Sequence, residues 1–309
     1  MKNNNIITIS LALINMALFG SLFPFIKIGY SAFNVNTSKV SDILMFAAMR
    51  FAVCGGLLCV LSFIRKEKIE KPKAKSFISI TFMGLFAIVL HYAFTYIGLS
   101  LTDSSKTALL KQLGVLLYVC FAFLFIKDEK FSLYKITGAL IGFCGIVAIN
   151  YGADGSIKFT VGDYLIIAAS FCSVIASILT KKVAQKNSSF WVVGISQLTG
   201  GILLFIIGIL LGGKMPSFSL KALFVFLYIC SASIVGYCLW TYLQKNGDLS
   251  KLFIIKFAEP LFACVFGAIL LGEEIFKLQY LFAFLLISAG IIIGNDGLKL
   301  FRNYSKDKM

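Results

Sequence analysis

The chain is built from apolar runs about as long as a bilayer is thick. A helix needs about 20 apolar residues to cross the hydrocarbon core. Ten segments qualify, at approximately 6–29, 43–64, 77–99, 104–126, 133–150, 162–181, 190–212, 220–243, 250–271 and 276–295. Some qualify only by tolerating one or two polar residues, and the fifth is short, set off from the fourth by "KDEK" (Lys127–Lys130). With 59% of 309 residues hydrophobic and only 14% charged, the chain has more apolar surface than one aqueous core could bury; a soluble domain is about 25% charged. The class is an all-α integral membrane protein of the cell membrane.

The charge follows the same plan. A net charge of +15 could suggest nucleic acid, but the basic residues crowd into alternate short loops, as the positive-inside bias requires. "RKEKIEKPKAK" follows the second span, Lys181, Lys182 and Lys186 follow the sixth, and Lys299, Arg302, Lys306 and Lys308 mark the tail. The intervening loops hold few basic residues. Both termini are therefore expected in the cytoplasm, with no nucleic-acid partner. The N-terminal run lacks a small-x-small cleavage site and continues to Lys27, so it reads as a retained first span. All eight cysteines fall inside apolar runs and none forms a CxxC pair, which points to packing thiols and to no metal. Small residues four apart (Gly138 with Gly142, Gly208 with Gly212, Gly290 with Gly294) suit close helix contacts in lipid.

Sliding the chain by 145 residues lays "DSSKTALLKQLGVLLYVCFAFLFIKDEKF" on "DLSKLFIIKFAEPLFACVFGAILLGEEIF" without a gap. Asp103 meets Asp248, Lys111 meets Lys256, Glu129 meets Glu274, and the match reaches back to Tyr92 on Tyr237. Two repeats of five spans follow, 1–155 and 156–309. Five is odd, so the second copy enters the membrane from the opposite side, which makes an inverted repeat of the kind secondary transporters use.

The stretches "ALFGSLFPFIK" (Ala17–Lys27), "AAMRF" (Ala47–Phe51), "TYIGLSLTDSSKTALL" and "FAEPLFACVFGAILLGEE" (Phe257–Glu274) resemble the EamA branch of the drug/metabolite transporter superfamily over essentially the whole chain. The resemblance implies ten helices in two inverted halves and a small-metabolite carrier, often an exporter. Span four of such proteins usually carries a proline matching Pro260; here Gly114 or Val115 holds that place, so Gly114 is a candidate hinge beside Pro260.

Ionisable residues within spans are the candidate site. Lys111 and Lys256 lie about seven residues, or roughly 10 Å, into their spans, where a lysine is costly unless it snorkels or lines a cavity. They are expected to flank one cavity from opposite mouths and to attract an anionic group. Glu259, three residues after Lys256, could pair with it or take up a proton. His91 could relay a proton or be a neutral ring bonded in the bundle. Tyr92, Tyr237 and Trp240, with Tyr96, offer aromatic faces and hydroxyls for binding or for the core. Lys27 and Arg50 are expected near the outer interface as anchors or gating residues. Lys106 and Lys251 begin their helices, and Asp128, Glu129, Glu273 and Glu274 are expected as interfacial charges.

The expected function is secondary transport, by alternating access, of a small polar or anionic metabolite such as an amino acid. No GxxxxGK[ST] motif provides ATP drive, and no cofactor is implied. The partners expected are a small-molecule substrate and the lipid bilayer, with a homodimer left open. Alternatives are a drug or organic-cation efflux carrier of the same superfamily, or a membrane enzyme or lipid-handling protein, for which the short loops supply no catalytic constellation.

Overall fold

The computed structural model describes residues 2–64, 74–101, 104–125, 131–150, 160–272 and 278–294, whose regular structure is helical, with no strand among the described residues. The second-span loop 65–73, the "KDEK" turn, Asp128, Glu129, Glu273, Glu274, the basic tail and the side chain of Lys106 lie outside what is described. Helices α1 (Lys2–Ala32) and α2 (Val40–Ile64) come first. Next, α3 (Ala74–Gly84) and α4 (His91–Leu101) are joined end to end by a π-helical stretch, Leu85–Leu90. Then follow α5 (Ser104–Phe125), α6 (Leu133–Asn150), α7 (Val161–Ala184), α8 (Ser189–Leu210) and α9 (Leu220–Asn246). The chain ends in α10 (Leu249–Lys256), α11 (Ala258–Leu271) and α12 (Leu278–Gly294).

Hydrocarbon offers no partner to a backbone amide, so a chain this apolar must satisfy its own peptide groups within helices. Among the described residues seven helical segments are long and apolar enough to cross a membrane, with α3–α4 and α10–α11 each counting as one. Helices α5, α6 and α12 lie over the other three segments expected from sequence without meeting that measure. Polar side chains cap the loop ends. Thr160 and Asp163 form a reciprocal capping box at α7, and Ser188, Ser219 and Asp248 accept from the first-turn amides of α8, α9 and α10. Gly272 closes α11 in the left-handed region, as only glycine does cheaply.

Close packing uses glycine where backbones touch. Helix α6 crosses α12 at Gly138, Gly142, Gly290 and Gly294. A Cβ built on Gly290 would stand 2.6 Å from the Gly138 carbonyl oxygen and 2.7 Å from the Gly142 nitrogen. Helices α2 and α8 meet in the same way, with Gly201 against Ala52. Gly208 packs on Met45, but Gly212 does not share that contact. It turns the chain after α8 at φ +75°, with open space where a Cβ would be. The remaining large contacts set α1 against α9 and α11, and α7 against α4 and α5.

The two ends of the bundle differ. At one, Ser217 N donates to Phe33 O (3.1 Å) and Lys214 N to the Asp42 carboxylate (2.8 Å), stitching the α1–α2 and α8–α9 loops around a cavity of about 410 Å³. At the other, Lys135 pairs with Asp248 (2.6 Å), Lys181 donates to Gly247 O, and Lys245 donates to Asn187 O.

Candidate functional site

Helix α10 stops at Lys256. Phe257 turns (φ −60°, ψ −17°) and donates to Ile254 O at 3.2 Å, and α11 starts at Ala258. Pro260 therefore sits in the first turn of α11, where an amide has no intrahelical acceptor to serve, and the Lys256 carbonyl loses the donor a residue at 260 would otherwise supply. The break separates Lys256 from Glu259. Among the described residues no ion pair within 4.0 Å joins them, so the intrahelical pair open to the sequence does not form.

Helix α5 supplies Lys111 from the other half of the chain. Its ammonium lies 5.7 Å from the ring centroid of Phe23 on α1, and that of Lys256 lies 5.6 Å from the Phe253 ring. Lys111, Lys256 and Glu259 are half-buried, and Lys111 is within electrostatic range of both others. His91 is within range of the two lysines as well. Its Nδ1 donates to Ala169 O of α7 at 3.0 Å, the only role open to a ring nitrogen facing a carbonyl, and its own carbonyl accepts from Thr95 Oγ1 at 2.6 Å.

Unlike the α10–α11 pair, α5 runs unbroken through Gly114. Gly114 is a close-contact position, since a Cβ there would lie 3.0 Å from Ser170 O. The Ser170 hydroxyl in turn donates toward Leu110 O and Lys111 O, fastening α7 to the turn that carries Lys111.

Next to His91 is a second layer. The hydroxyls of Tyr92 and Tyr237 hydrogen-bond to one another, so two residues matched by the 145-residue repeat touch. Phe51 lies 4.9 Å from the Tyr92 ring and 6.3 Å from Tyr237, and Phe19 lies 5.2 Å from Tyr237. Arg50 is sealed among these rings, 2% exposed, its guanidinium carbon 4.3 Å from the Phe51 centroid and 5.7 Å from Tyr92. This corrects the interfacial position expected for Arg50. Helix α2 starts at Val40, three residues before the expected span, and Arg50 is ten residues beyond that start, or about 15 Å along the axis. Lys27, by contrast, is exposed near the end of α1. Trp240 is 8% exposed and packs 6.2 Å from Phe253 in the apolar core, one layer behind Lys256.

Cations, a carboxylate and hydrogen-bonding rings inside an apolar helical bundle mark a candidate functional site rather than packing alone. The sequence profile of the EamA-like transporter family matches residues 6–151 and again 160–295, and the chain belongs to that family. It is 24% identical over 268 residues to a protein of Archaeoglobus fulgidus named as an uncharacterized transporter, covering 84% of this chain and 88% of that one. It is 26% identical over 290 residues to the uncharacterized inner membrane transporter YedA of Escherichia coli K12, covering 90% of each. A crystal structure 18% identical in sequence superposes with a TM-score of 0.75 over 92% of this chain and 96% of its own, and so shares the fold. The protein is a multi-pass membrane protein of the transporter class.

Proposed function

We propose that this chain is a secondary transporter that exports a small polar or anionic metabolite, such as an amino acid or a derivative. It works by alternating access between two inverted five-span halves, 1–155 and 156–309, with both termini in the cytoplasm. The observation that carries this reading is that Lys111 and Lys256 lie within electrostatic range of each other. They are matched across the repeat and rise from different halves, with His91 in range of both and Glu259 in range of Lys111. A cationic pair of that kind favours a carboxylate, or less readily a phosphate.

The two-half architecture has three supports. The family profile matches twice. The repeat partners Tyr92 and Tyr237 are in contact. The packing scheme also survives exchange of the halves. Swapping α1 with α7, α2 with α8, α3–α4 with α9, α5 with α10–α11 and α6 with α12 turns the contacts of α1 into those of α7 and leaves α2–α8 and α6–α12 unchanged. An organic-cation carrier would have to lean on Glu259 alone, with two lysines nearby opposing it.

Counterflow in proteoliposomes tests the reading, using a panel of amino acids and organic acids with wild type, Lys111→Met and Lys256→Met. Folded variants that lose uptake of acids alone are the expected result. Variants that transport at the wild-type rate would move the search to neutral or cationic substrates.

A further inference from the structure

The Arg50 layer is chemically incomplete. A guanidinium has five N–H donors and keeps its charge at any accessible pH. Here it lies roughly halfway along a membrane helix and is 2% exposed. Its Nε has no hydrogen-bond partner, and among the described residues no carboxylate pairs with it. What surrounds it is aromatic: Phe51 and Tyr92 at cation–π distance, with Tyr96 and Tyr237 within electrostatic range. A desolvated cation–π contact is favourable, but burying an ion costs more than one such contact returns. The rings soften the penalty without cancelling it, and the missing partner is an anion.

We infer that Arg50 is a carboxylate-binding residue of the translocation path, the seat being the guanidinium together with the Tyr92–Tyr237 hydroxyls. A carboxylate suits it because two coplanar oxygens match the guanidinium fork. The rings of Phe19, Phe51, Tyr92 and Tyr237 would receive the flat or apolar body of the same molecule. The ammonium groups of Lys111 and Lys256, within electrostatic range of His91, are then a second contact for negative charge, weaker for a carboxylate than the planar Arg50 fork because an ammonium acts as a point charge. This rests on the transporter reading above and narrows it to carboxylic acids.

The test reads binding, not transport. Purified protein in detergent is melted with acetate or benzoate, and with acetamide or benzamide in chloride of equal ionic strength, for wild type, Arg50→Gln and Arg50→Lys. The acids are expected to raise the wild-type melting temperature and the amides to leave it unchanged. In Arg50→Gln the acid effect disappears, and in Arg50→Lys the apparent affinity falls about 10- to 100-fold, as for one charge-assisted contact. Without ligand, Arg50→Gln should melt at or above wild type, because the uncompensated charge is gone. A brace between helices would instead lose stability when cut. Acid stabilisation that persists in Arg50→Gln, or is missing in wild type, overturns the inference. If Arg50→Gln does not fold, the charge-keeping Arg50→Lys decides: undiminished acid affinity there overturns it too. Acid binding lost with Arg50 but no counterflow of any acid would leave the seat standing and remove the carrier reading. Counterflow of acids unaffected by loss of Arg50 would do the reverse.

Discussion

The two halves of this protein share a sequence pattern and a packing scheme, yet each breaks its helices in a different place. In the first half the irregular rod is α3–α4, interrupted by the π stretch Leu85–Leu90, while the matched rod, α9, is continuous over 27 residues. In the second half the irregular rod is α10–α11, cut at Phe257, while its match α5 is continuous over 22 residues. Of the two, the α10–α11 break follows a departure in the matched sequences, and the π stretch ends just before another. Val115 stands opposite Pro260, and Gly236 stands opposite His91. What the halves share governs which helix packs on which. Pro260, which they do not share, releases the Lys256 carbonyl, and both breaks adjoin the charged layer, one ending at His91 and the other starting after Lys256. Irregular backbone at membrane depth is tolerated where it lines a protected site, so each half brings a different device to the same place.

The largest effect expected from attacking this comparison is at the region where the halves are alike. Gly138→Leu and Gly290→Leu each drive a side chain into the facing backbone of the α6–α12 crossing, and both should abolish recovery of folded, monodisperse protein in size-exclusion chromatography. If only one does, the crossing is not shared equally. Moving the break comes next. Val115→Pro imposes on α5 the residue α11 tolerates, but in mid-helix its ring would clash with the Lys111 carbonyl, at a cost of about 3 kcal/mol or more. Pro260→Ala, in a first turn, should cost less than about 1 kcal/mol of stability while slowing counterflow. Equal melting losses in the two variants would erase the distinction between the rods. For the tyrosine pair, Tyr92→Phe and Tyr237→Phe should each cost about 1 kcal/mol, and the double variant no more than either alone, because they share one bond. Additive losses in thermal melts would show that each hydroxyl has its own partner. The smallest change is Ser170→Ala, which unfastens α7 from the Lys111 turn and should lower stability by less than about 1 kcal/mol.

Much of the charged layer was legible because an ionisable residue in an apolar run needs no alignment to be noticed. Lys111, Lys256, Glu259 and His91 stand out by that rule alone, and Tyr92 and Tyr237 stand out as repeat partners. Arg50 was equally visible. Counted from residue 43 it lies seven residues into its span, the same depth as the lysines, and the reasoning applied to them reaches it. The π stretch had no signal, since "LFAIVL" contains nothing that an α-helix would refuse. Pro260 announced a break but not its position, because the carbonyl a proline orphans belongs to the residue four before it. Gly212 shows the limit of spacing: glycines four apart mark a packing face only while the helix continues, and α8 ends before the second one.

The bond between Tyr92 and Tyr237 has a consequence of its own. In a carrier whose halves trade shapes to reverse its opening, nearly every contact has a distinct image that replaces it when the trade is made. A bond between matched residues has no such image, because exchange returns the same two atoms to each other. On the alternating-access proposal it is the fixed point of the permutation, expected in the outward-open and in the inward-open form alike. On the same proposal the contacts around it, those of Phe19 and Phe51 included, are free to change while the hydroxyl pair persists. A carrier of that kind would move its cargo around the tyrosines rather than between them.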